Sequence, residues 1–396
     1  MPSQTHILTD VENRVWVANF HADAAGTPQL PGDWSITKQT LRGGRSDGVD
    51  LIELNNGAFS ISILPTRGMG LWKGDCRDVP VGWDSPVKQP VNPTFVDQND
   101  RSGLGWLTGF NELLCRCGLA SNGAPGTDTV LDNNGNAIET ELTLHGKIAN
   151  TPAHHVEIEI DEEDGGRLAV TGTIDETSLF GPCLRLTSRV ETTVGSNRLL
   201  ITDTITNLAG QPGELQLLYH TNIGRPFLER GARFAAPIET LAPRDPHAST
   251  GIDAFDEYDA PQAGYVEQAF LMELLAGDDG RTTTMLCNSA RDRAVSLRFP
   301  VSELPCFTLW KNTQSEADGF VTGLEPATNF PNLKTYERQQ ERVLNLEPGQ
   351  HYTTHLELSV HTTADEVQQV QSEIDAIQDQ AAQRVHRHPI ARFLPI

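Results

Sequence analysis

LRLTSRVETTV, residues 184–194, places apolar side chains at Leu184, Leu186 and Val190 with polar side chains between them. Apolar residues at every second position are typical of a β-strand with one buried face. The residues that follow, Gly-Ser-Asn at 195–197, are typical of a turn. This stretch therefore predicts a strand that ends in a turn and is followed by a returning strand.

Further strands are predicted on both sides of this one, each bounded by turn residues. Comparable runs occupy residues 51–64, 154–160, 167–174, 199–207, 215–220, 282–288, 294–299 and 351–360. Strands that follow one another without alternating helices predict an all-β fold, a large antiparallel β-sandwich. We expect one domain over residues 1–396, with residues 1–44 as an N-terminal extension.

A single strong helical pattern lies near the C-terminus. Thr363, followed three residues later by Glu366, forms a capping-box pattern. Apolar residues then recur at alternating spacings of three and four, which predicts an amphipathic helix over about 364–385. The helix can cover its own domain, which we expect, or pair with a second copy in a homodimer.

The charge of the chain excludes some classes of partner. Lys and Arg number 30 and Asp and Glu number 53, giving a formal net charge of −23. Such a surface repels nucleic-acid phosphates and anionic lipid headgroups, so we expect neither nucleic-acid nor membrane-surface binding. The sequence contains no apolar run of about 18 residues that would span a bilayer.

The cysteines and the N-terminus predict a cytoplasmic protein. The six cysteines are scattered, and the spacing of Cys115 and Cys117 is not that of a zinc site, so reduced thiols are expected. The first residues, MPSQTHILTDVENRVWV, lack a basic segment followed by an apolar one, so no signal peptide is predicted.

Residues 65–126 are rich in glycine and proline and predict long loops between strands. Long loops in compact domains are either functional or disordered. Trp72, Trp83 and Trp106 argue against disorder in this segment.

Four short clusters carry residues suited to chemistry. Arg67 lies in LPTRGMG (64–70), and His145 lies in LHGK (144–147). His220 and Asn222 lie in LLYHTNIG (217–224), where an apolar run meets polar side chains. Singly, none of these clusters outweighs a simpler explanation, which is a surface turn, a strand end that meets water or, as the default for the HG pair, a structural histidine.

The fourth cluster is GFVTGLEPA (319–327), in which Glu325 follows an apolar run and precedes a proline. A carboxylate buried at such a position has a raised pKa and is suited to proton transfer near neutral pH. A lone Glu-Pro pair is more often a simple turn.

In combination, these blocks resemble the aldose 1-epimerases of the galactose mutarotase-like superfamily. That family has a histidine in an HG motif, a second histidine in a polar run near an asparagine, and a glutamate in a late LEPQ- or LETQ-like motif. His145, His220 and Glu325 occur in this order here. The resemblance covers about residues 45–360 and is nearest to an uncharacterised branch with LPTRGMG, CGL and LEPAT blocks.

The resemblance implies a sugar-binding supersandwich and an enzyme that interconverts anomers without metal or organic cofactor. Glu325 would take the proton of the anomeric hydroxyl and His220 would protonate the ring oxygen, while His145 orients the sugar. The hydroxyl-binding residues implied are Arg67, Asn222 and Lys311, with Asp256 and Glu267 competing for the place of an aspartate that contacts sugar hydroxyls.

Three alternatives stay open. One is a non-catalytic carbohydrate-binding or sensing protein on the same fold. Another is an isomerase or lyase acting on an acidic or oxidised sugar, for which Arg67 and Lys311 would bind the carboxylate. The third is a metal site made by His145, His220 and the adjacent histidines at 154 and 155. This site is disfavoured because neighbouring residues of a strand point to opposite faces.

The proposed chemistry sets a geometric expectation. His145, His220 and Glu325 should converge on one concave face of the sandwich, each at the end of a strand. His220 and Glu325 should flank a gap as wide as a pyranose ring, without touching. Arg67 should reach the same gap.

Overall fold

The computed structural model describes residues 4–27, 30, 32–162 and 165–395. Only 13% of the residues are helical, so the chain is built mainly from strands. The α-helices are Asp100–Gly103, Pro246–Ser249, Lys334–Gln339 and Ala364–Gln378. No described helix is long and apolar enough to cross a membrane.

The strands are numbered here in chain order. The first thirteen are β1 (Gln4–Asp10), β2 (Val15–Trp16), β3 (Phe20–Asp23), β4 (Ser35–Thr40), β5 (Asp50–Asn55), β6 (Phe59–Leu64), β7 (Gly70–Cys76), β8 (Val79–Val81), β9 (Leu114–Leu119), β10 (Gly126–Leu131), β11 (Ala137–Leu142), β12 (His155–Asp161) and β13 (Arg167–Thr177). The others are β14 (Cys183–Thr193), β15 (Arg198–Asn207), β16 (Gly213–Ile223), β17 (Arg233–Ala235), β18 (Ile238–Pro243), β19 (Gln268–Leu274), β20 (Arg281–Cys287), β21 (Ala294–Pro300), β22 (Cys306–Asn312), β23 (Val321–Ala327), β24 (Leu344–Leu346), β25 (His351–His361) and β26 (Arg384–Val385).

All these strands belong to two large sheets except β10 and β11, which pair as a separate two-stranded sheet. The ten-stranded sheet has the order β17-β20-β21-β25-β15-β14-β13-β12-β1-β2. The fourteen-stranded sheet has the order β26-β18-β19-β22-β23-β16-β9-β7-β6-β5-β4-β3, with β24 paired to β16 and β8 to β7. The described pairings between named strands are antiparallel except β18 with β26, which is parallel. One apolar core contains side chains from both sheets, so the predicted antiparallel sandwich is confirmed.

The strand β14 is buried on one face, as the alternation at 184–194 predicts. In β14, Leu184, Leu186 and Val190 are buried and lie in the core between the sheets. The turn at 195–197 leads into β15, which pairs with β14 along its length. An alternating pattern specifies strand register because a one-residue slip would expose every apolar side chain.

A buried ion pair also joins the two sheets. Arg116 on β9 donates to the Asp203 carboxylate on β15 and to Ser188 on β14. Tyr219, which precedes His220 on β16, donates its hydroxyl to the same carboxylate at 2.7 Å. All four side chains are fully buried, so this network fixes the inner face of β9 and β16.

The C-terminal helix is present and is the longest helix among the described residues. The Thr363 hydroxyl accepts a hydrogen bond from the Glu366 amide, as the capping pattern predicts. The helix packs on its own domain through Val367, Val370 and Ile374, which cover β20 and β21. It ends at Gln378 rather than near 385, because residue 381 is exposed and offers no side chain that would bury another turn.

Two sequence-based boundaries change. Residues predicted as an N-terminal extension supply β1 and β2 to one sheet and β3 and β4 to the other. The segment 65–126, predicted as loops, contains β7, β8 and β9, and the long loop is confined to 82–113. That loop carries Trp106 and Phe110, which pack against β9 and β16.

Candidate active site

His220 and Glu325 lie on neighbouring strands of the larger sheet. β16 and β23 are antiparallel with Thr221 opposite Leu324, which places His220 directly opposite Glu325. Leu217 and Tyr219 face the core between the sheets. The alternate residues of β16, including His220, therefore point to the outer face of the sheet.

The two side chains touch. Nε2 of His220 lies 3.3 Å from Oε1 of Glu325, and the side chains are 6% and 3% exposed. The expectation of a ring-sized gap between them is wrong, and so is the expectation that each lies at a strand end. Both residues lie inside their strands, β16 and β23. A polar side chain is accommodated there because it points to the outer face of the sheet, where the two side chains contact each other.

Gly323 gives this pair its space. A Cβ atom at this position would lie 2.4 Å from Oε1 of Glu325 and 3.3 Å from Cε1 of His220. Only glycine leaves the carboxylate in its observed place. The glycine in the GFVTGLEPA cluster thus has a direct steric role at the site.

Asn222 fixes the tautomer of His220. The Asn222 amide nitrogen donates to the carbonyls of Glu112 and His220, each at 3.0 Å, so its Oδ1 must face the imidazole. His220 Nδ1 therefore donates to Oδ1 at 2.7 Å. In neutral His220 the lone pair lies on Nε2, toward Glu325. Asn222 is fully buried and orients His220, so its expected place as a hydroxyl-binding residue is not supported.

Burial favours the uncharged form of both partners. It lowers the pKa of His220 well below its usual range, an effect strengthened by nearby His145. It raises the pKa of Glu325 well above its usual range, and the negative charge of Glu267 adds to this. Both shifts favour the arrangement in which Glu325 carries a proton and Nε2 of His220 does not.

His145 joins the pair from a loop. Its ring centroid lies 5.3 Å from that of His220, and the rings meet edge to face. Nδ1 donates to the Asn122 carbonyl at 2.9 Å, which leaves Nε2 as an acceptor. Burial lowers the pKa of His145 to about 4, so the ring is neutral near neutral pH.

The backbone conformation explains why glycine follows His145. His145 has φ of 59° and Gly146 has φ of 70°, so two consecutive residues are left-handed. A Cβ at Gly146 would lie 2.0 Å from the Ser121 carbonyl oxygen. The strained His145 backbone is held by this close packing, as is common at functional sites.

Aromatic rings surround His220. The centroids of Phe110, Trp310 and Trp106 lie 5.0, 5.4 and 6.0 Å from the imidazole. Trp310 is partly exposed, whereas Trp106 and Phe110 are buried. Sequence reasoning did not assign these rings to the site, although Trp106 marked its loop as ordered.

Glu267 lies at the rim of the site. Its carboxylate accepts hydrogen bonds from Trp310 Nε1 at 2.7 Å and from Arg244 at 3.0 Å. Asp256, the competing residue, pairs instead with Arg233 at 3.3 Å, beside β17 at the edge of the other sheet. Of the two carboxylates predicted for sugar contact, only Glu267 is therefore near His220 and Glu325.

Arg67 does not reach the site. Its side chain is 1% exposed and donates to Glu112 at 2.5 Å and to three further oxygens, those of Val91, Gly109 and Asn150. The turn predicted around it is present, with Gly68 left-handed. The guanidinium is turned inward and ties the turn after β6 to the long loop and to Asn150, so the expectation that Arg67 reaches the site is wrong.

Lys311 is also held by the protein. Its ammonium donates to the carbonyls of Ala254 and Glu257 at 3.2 and 2.6 Å and lies over the Tyr258 ring. Burial lowers its pKa to about 8. Neither Lys311 nor Arg67 is free to bind a substrate carboxylate, which removes the feature that favoured an acidic sugar.

Two further features bear on what the site can hold. No group of three or more His, Cys, Asp or Glu side chains in the described ranges is placed to hold a metal ion. A pocket of about 400 Å³ is lined in part by Trp83 and Asn111, and neither His220 nor Glu325 lines it. Trp83 packs on Phe110 at 5.1 Å, so aromatic rings lie between this pocket and His220.

Solved structures share this fold. A Klebsiella pneumoniae protein provisionally named an aldose 1-epimerase is 33% identical, with 98% of this chain and 99% of that chain covered and a TM-score of 0.92. A galactose mutarotase-like protein from Clostridium acetobutylicum is 16% identical, with 83% and 98% covered and a TM-score of 0.56. An Escherichia coli K12 protein provisionally named an aldose 1-epimerase is 14% identical, with 80% and 100% covered and a TM-score of 0.52.

These similarities show the galactose mutarotase-like sandwich fold, as the sequence resemblance implied. Among curated proteins, no sequence matches the chain. Residues 46–360 match the family described as Domain of unknown function (DUF4432). Because the match spans most of the sequence, the chain belongs to the DUF4432 family.

Proposed function

We propose that this protein interconverts the anomers of an aldose. The observation that carries the proposal is the buried pair of His220 and Glu325, 3.3 Å apart. Oε1 of Glu325 is buried and has no hydrogen-bond partner among the described residues, and Nδ1 of His220 bonds the neutral side chain of Asn222. The name given to the Klebsiella relative supports the same reaction.

Two adjacent groups suit the anomeric centre. The anomeric hydroxyl and the ring oxygen are bonded to the same carbon, so catalytic groups that act on them have to lie side by side. A gap for the whole ring is therefore unnecessary between His220 and Glu325. The sugar lies above the pair, against the surrounding aromatic side chains.

At the start of the reaction, the proton shared by His220 and Glu325 has to be on His220. Glu325, as carboxylate, takes the proton from the anomeric hydroxyl, and His220, as imidazolium, protonates the ring oxygen. The C1–O5 bond breaks as the C1=O1 double bond forms, which gives the open-chain aldehyde and the neutral pair. Rotation about C1–C2 and the reverse transfers close the ring as the other anomer. Each positioned proton-transfer group typically contributes about 10²–10⁴-fold.

The neighbouring residues hold the sugar. The neutral Nε2 of His145 accepts a hydrogen bond from a sugar hydroxyl and cannot donate one to the ring oxygen. The partly exposed Trp310 offers an apolar ring to the C–H face of the sugar, and Glu267 accepts hydrogen bonds from hydroxyls at the rim. No metal or organic cofactor enters the proposed chemistry.

Exchange NMR tests the proposal. Signals of the two anomers of each of several neutral aldoses are followed at equilibrium with and without enzyme, which detects catalysis without knowledge of the natural substrate. We expect at least one aldose to exchange faster than the spontaneous rate. Binding of a sugar with no accelerated exchange would instead support the non-catalytic carbohydrate-binding alternative.

A further inference from the structure

Shortly after Glu325 in the sequence lies a buried asparagine that has no part in the proposed reaction. Thr328 and Asn329 follow β23 directly and continue the LEPAT block as LEPATN. Both are buried, as is Asn122 in the loop after β9. Asn122 and Asn329 exchange two hydrogen bonds, each 3.0 Å long, through their side-chain amides. We call this reciprocal pair the amide clasp.

The clasp is fixed on the side of β23 and β16. The Asn329 amide nitrogen also donates to the Phe330 carbonyl at 2.8 Å, and its Oδ1 also accepts from the Thr328 hydroxyl at 3.0 Å. That hydroxyl accepts from the Leu217 amide at 2.9 Å, three residues before His220. Asn329 is therefore tied to both strands that carry the proton-transfer pair.

On its other side the clasp holds the loop after β9, to which His145 is hydrogen-bonded. Three hydrogen bonds fix His145, and all of them run to residues 118–123. Its amide donates to Gly123, its carbonyl accepts from Gly118, and Nδ1 donates to the Asn122 carbonyl at 2.9 Å. The residue that orients the imidazole is thus the residue whose side chain forms the clasp.

We propose that Asn329 is a positioning residue that places His145 relative to His220 and Glu325 through the amide clasp. It contacts neither member of the proton-transfer pair, so its effect passes through Asn122 and His145. The inference rests on the proposed function for its kinetic consequence, but the placement of His145 is measurable without any sugar.

The kinetic test is a double-mutant cycle. Because a misplacement of about 1 Å can cost about 100-fold, we expect Asn329→Ala to lower kcat/KM for anomer exchange by about 10- to 100-fold. In a His145→Gln background the same substitution should cause no further loss, since the clasp acts through His145. Losses that simply multiply in the double variant would overturn the proposal.

A matched control separates positioning from general destabilisation. Asn207 is also a buried asparagine, and it donates to the carbonyls of Gln211 and Leu346 at the end of β15, away from the site. Asn207→Ala should leave kcat/KM near that of the wild type. Asn122→Ala removes the same clasp and provides a second variant if Asn329→Ala fails to fold. The backbone hydrogen bond from Ala124 to the Pro331 carbonyl does not involve either asparagine side chain and remains in both variants.

A sugar-free measurement keeps the two proposals separate. In ¹⁵N-histidine NMR spectra, His145, assigned by its loss in His145→Gln, should show the Nδ1–H tautomer in the wild type and a changed signal in Asn329→Ala. An unchanged signal would overturn the positioning role even in an active enzyme. A changed signal in a protein that exchanges no aldose would support the clasp and overturn only the anomer-exchange proposal.

Discussion

The steric role of Gly323 gives a sharp prediction for Gly323→Ala. The new methyl group would lie 2.4 Å from Oε1 of Glu325, against the 3.4 Å or more of an ordinary contact. Gly323 is not among the glycines with positive φ, so the backbone itself accepts alanine. The carboxylate must move by about 1 Å, which separates it from His220, and such a displacement can cost about 100-fold in rate.

This variant should lose at most about 2.5 kcal/mol of its free energy of unfolding. Overpacking costs about 1–3 kcal/mol, and removing a glycine from a strand offsets about 0.5–1 kcal/mol of that cost. We therefore expect a folded protein whose anomer exchange is slower by about 100-fold and whose KM is nearly unchanged. Exchange NMR at several sugar concentrations measures both constants, and thermal unfolding monitors the fold.

Gly210→Ala is the matched control for Gly323→Ala. Gly210 lies in the turn between β15 and β16, has no positive φ, and a Cβ there meets no atom within 4 Å. Its activity should equal that of the wild type. If Gly323→Ala kept wild-type kcat while folded, the spacing of His220 and Glu325 would not control the reaction, and the reasoning would fail.

Three further predictions concern the frame and the proton count. Asp203→Ala should lower the free energy of unfolding by about 3–5 kcal/mol in urea titrations, because the buried Arg116 charge loses its partner; a loss below 1 kcal/mol would contradict the network's role. Thr363→Ala should cost about 1 kcal/mol in the same assay through loss of the helix cap, and no loss would contradict the cap. The exchange rate plotted against pH should be bell-shaped, because His220 and Glu325 gain a second proton at low pH and lose their only proton at high pH. The lowered pKa of His220 places the acid limb below the usual histidine pKa, and the raised pKa of Glu325 places the alkaline limb above the usual glutamate pKa. A monotonic profile would contradict one shared proton.

The fold was predictable because alternation is a local signal. The pattern of residues 184–194 identifies a strand with one buried face, and repetition of such strands identifies a sandwich. The C-terminal helix was predictable for the same reason, through Thr363 and the apolar spacing behind it. Its end was not, since a helix stops where tertiary contacts stop, and the sequence does not show where β20 and β21 end beneath it.

The site was only partly predictable. His145, His220 and Glu325 meet as the resemblance implied, but the contact between His220 and Glu325 depends on strand register and on Gly323, which no single motif reveals. The hydrogen-bond partners of Arg67 lie up to 83 residues away in the sequence, so the sequence alone did not show that its side chain is buried and not available for substrate binding.

The aromatic rings and the amide clasp were missed for a related reason. Phe110 and Trp310 reach His220 from separate segments, and the clasp joins residues 207 positions apart. Such contacts leave no periodic trace in the chain. The one local signal was Trp106, a ring of the site that lies in a loop otherwise rich in glycine.

The central claim is that Glu325 exchanges a proton with the anomeric hydroxyl. Its most direct test is Glu325→Gln, which keeps the size and hydrogen bonding of the side chain but removes the proton acceptor. For the aldose with the fastest wild-type exchange, we predict an exchange rate lower by about 10²–10⁴-fold, with sugar affinity in calorimetric titration near that of the wild type. Wild-type exchange in folded Glu325→Gln would contradict the claim.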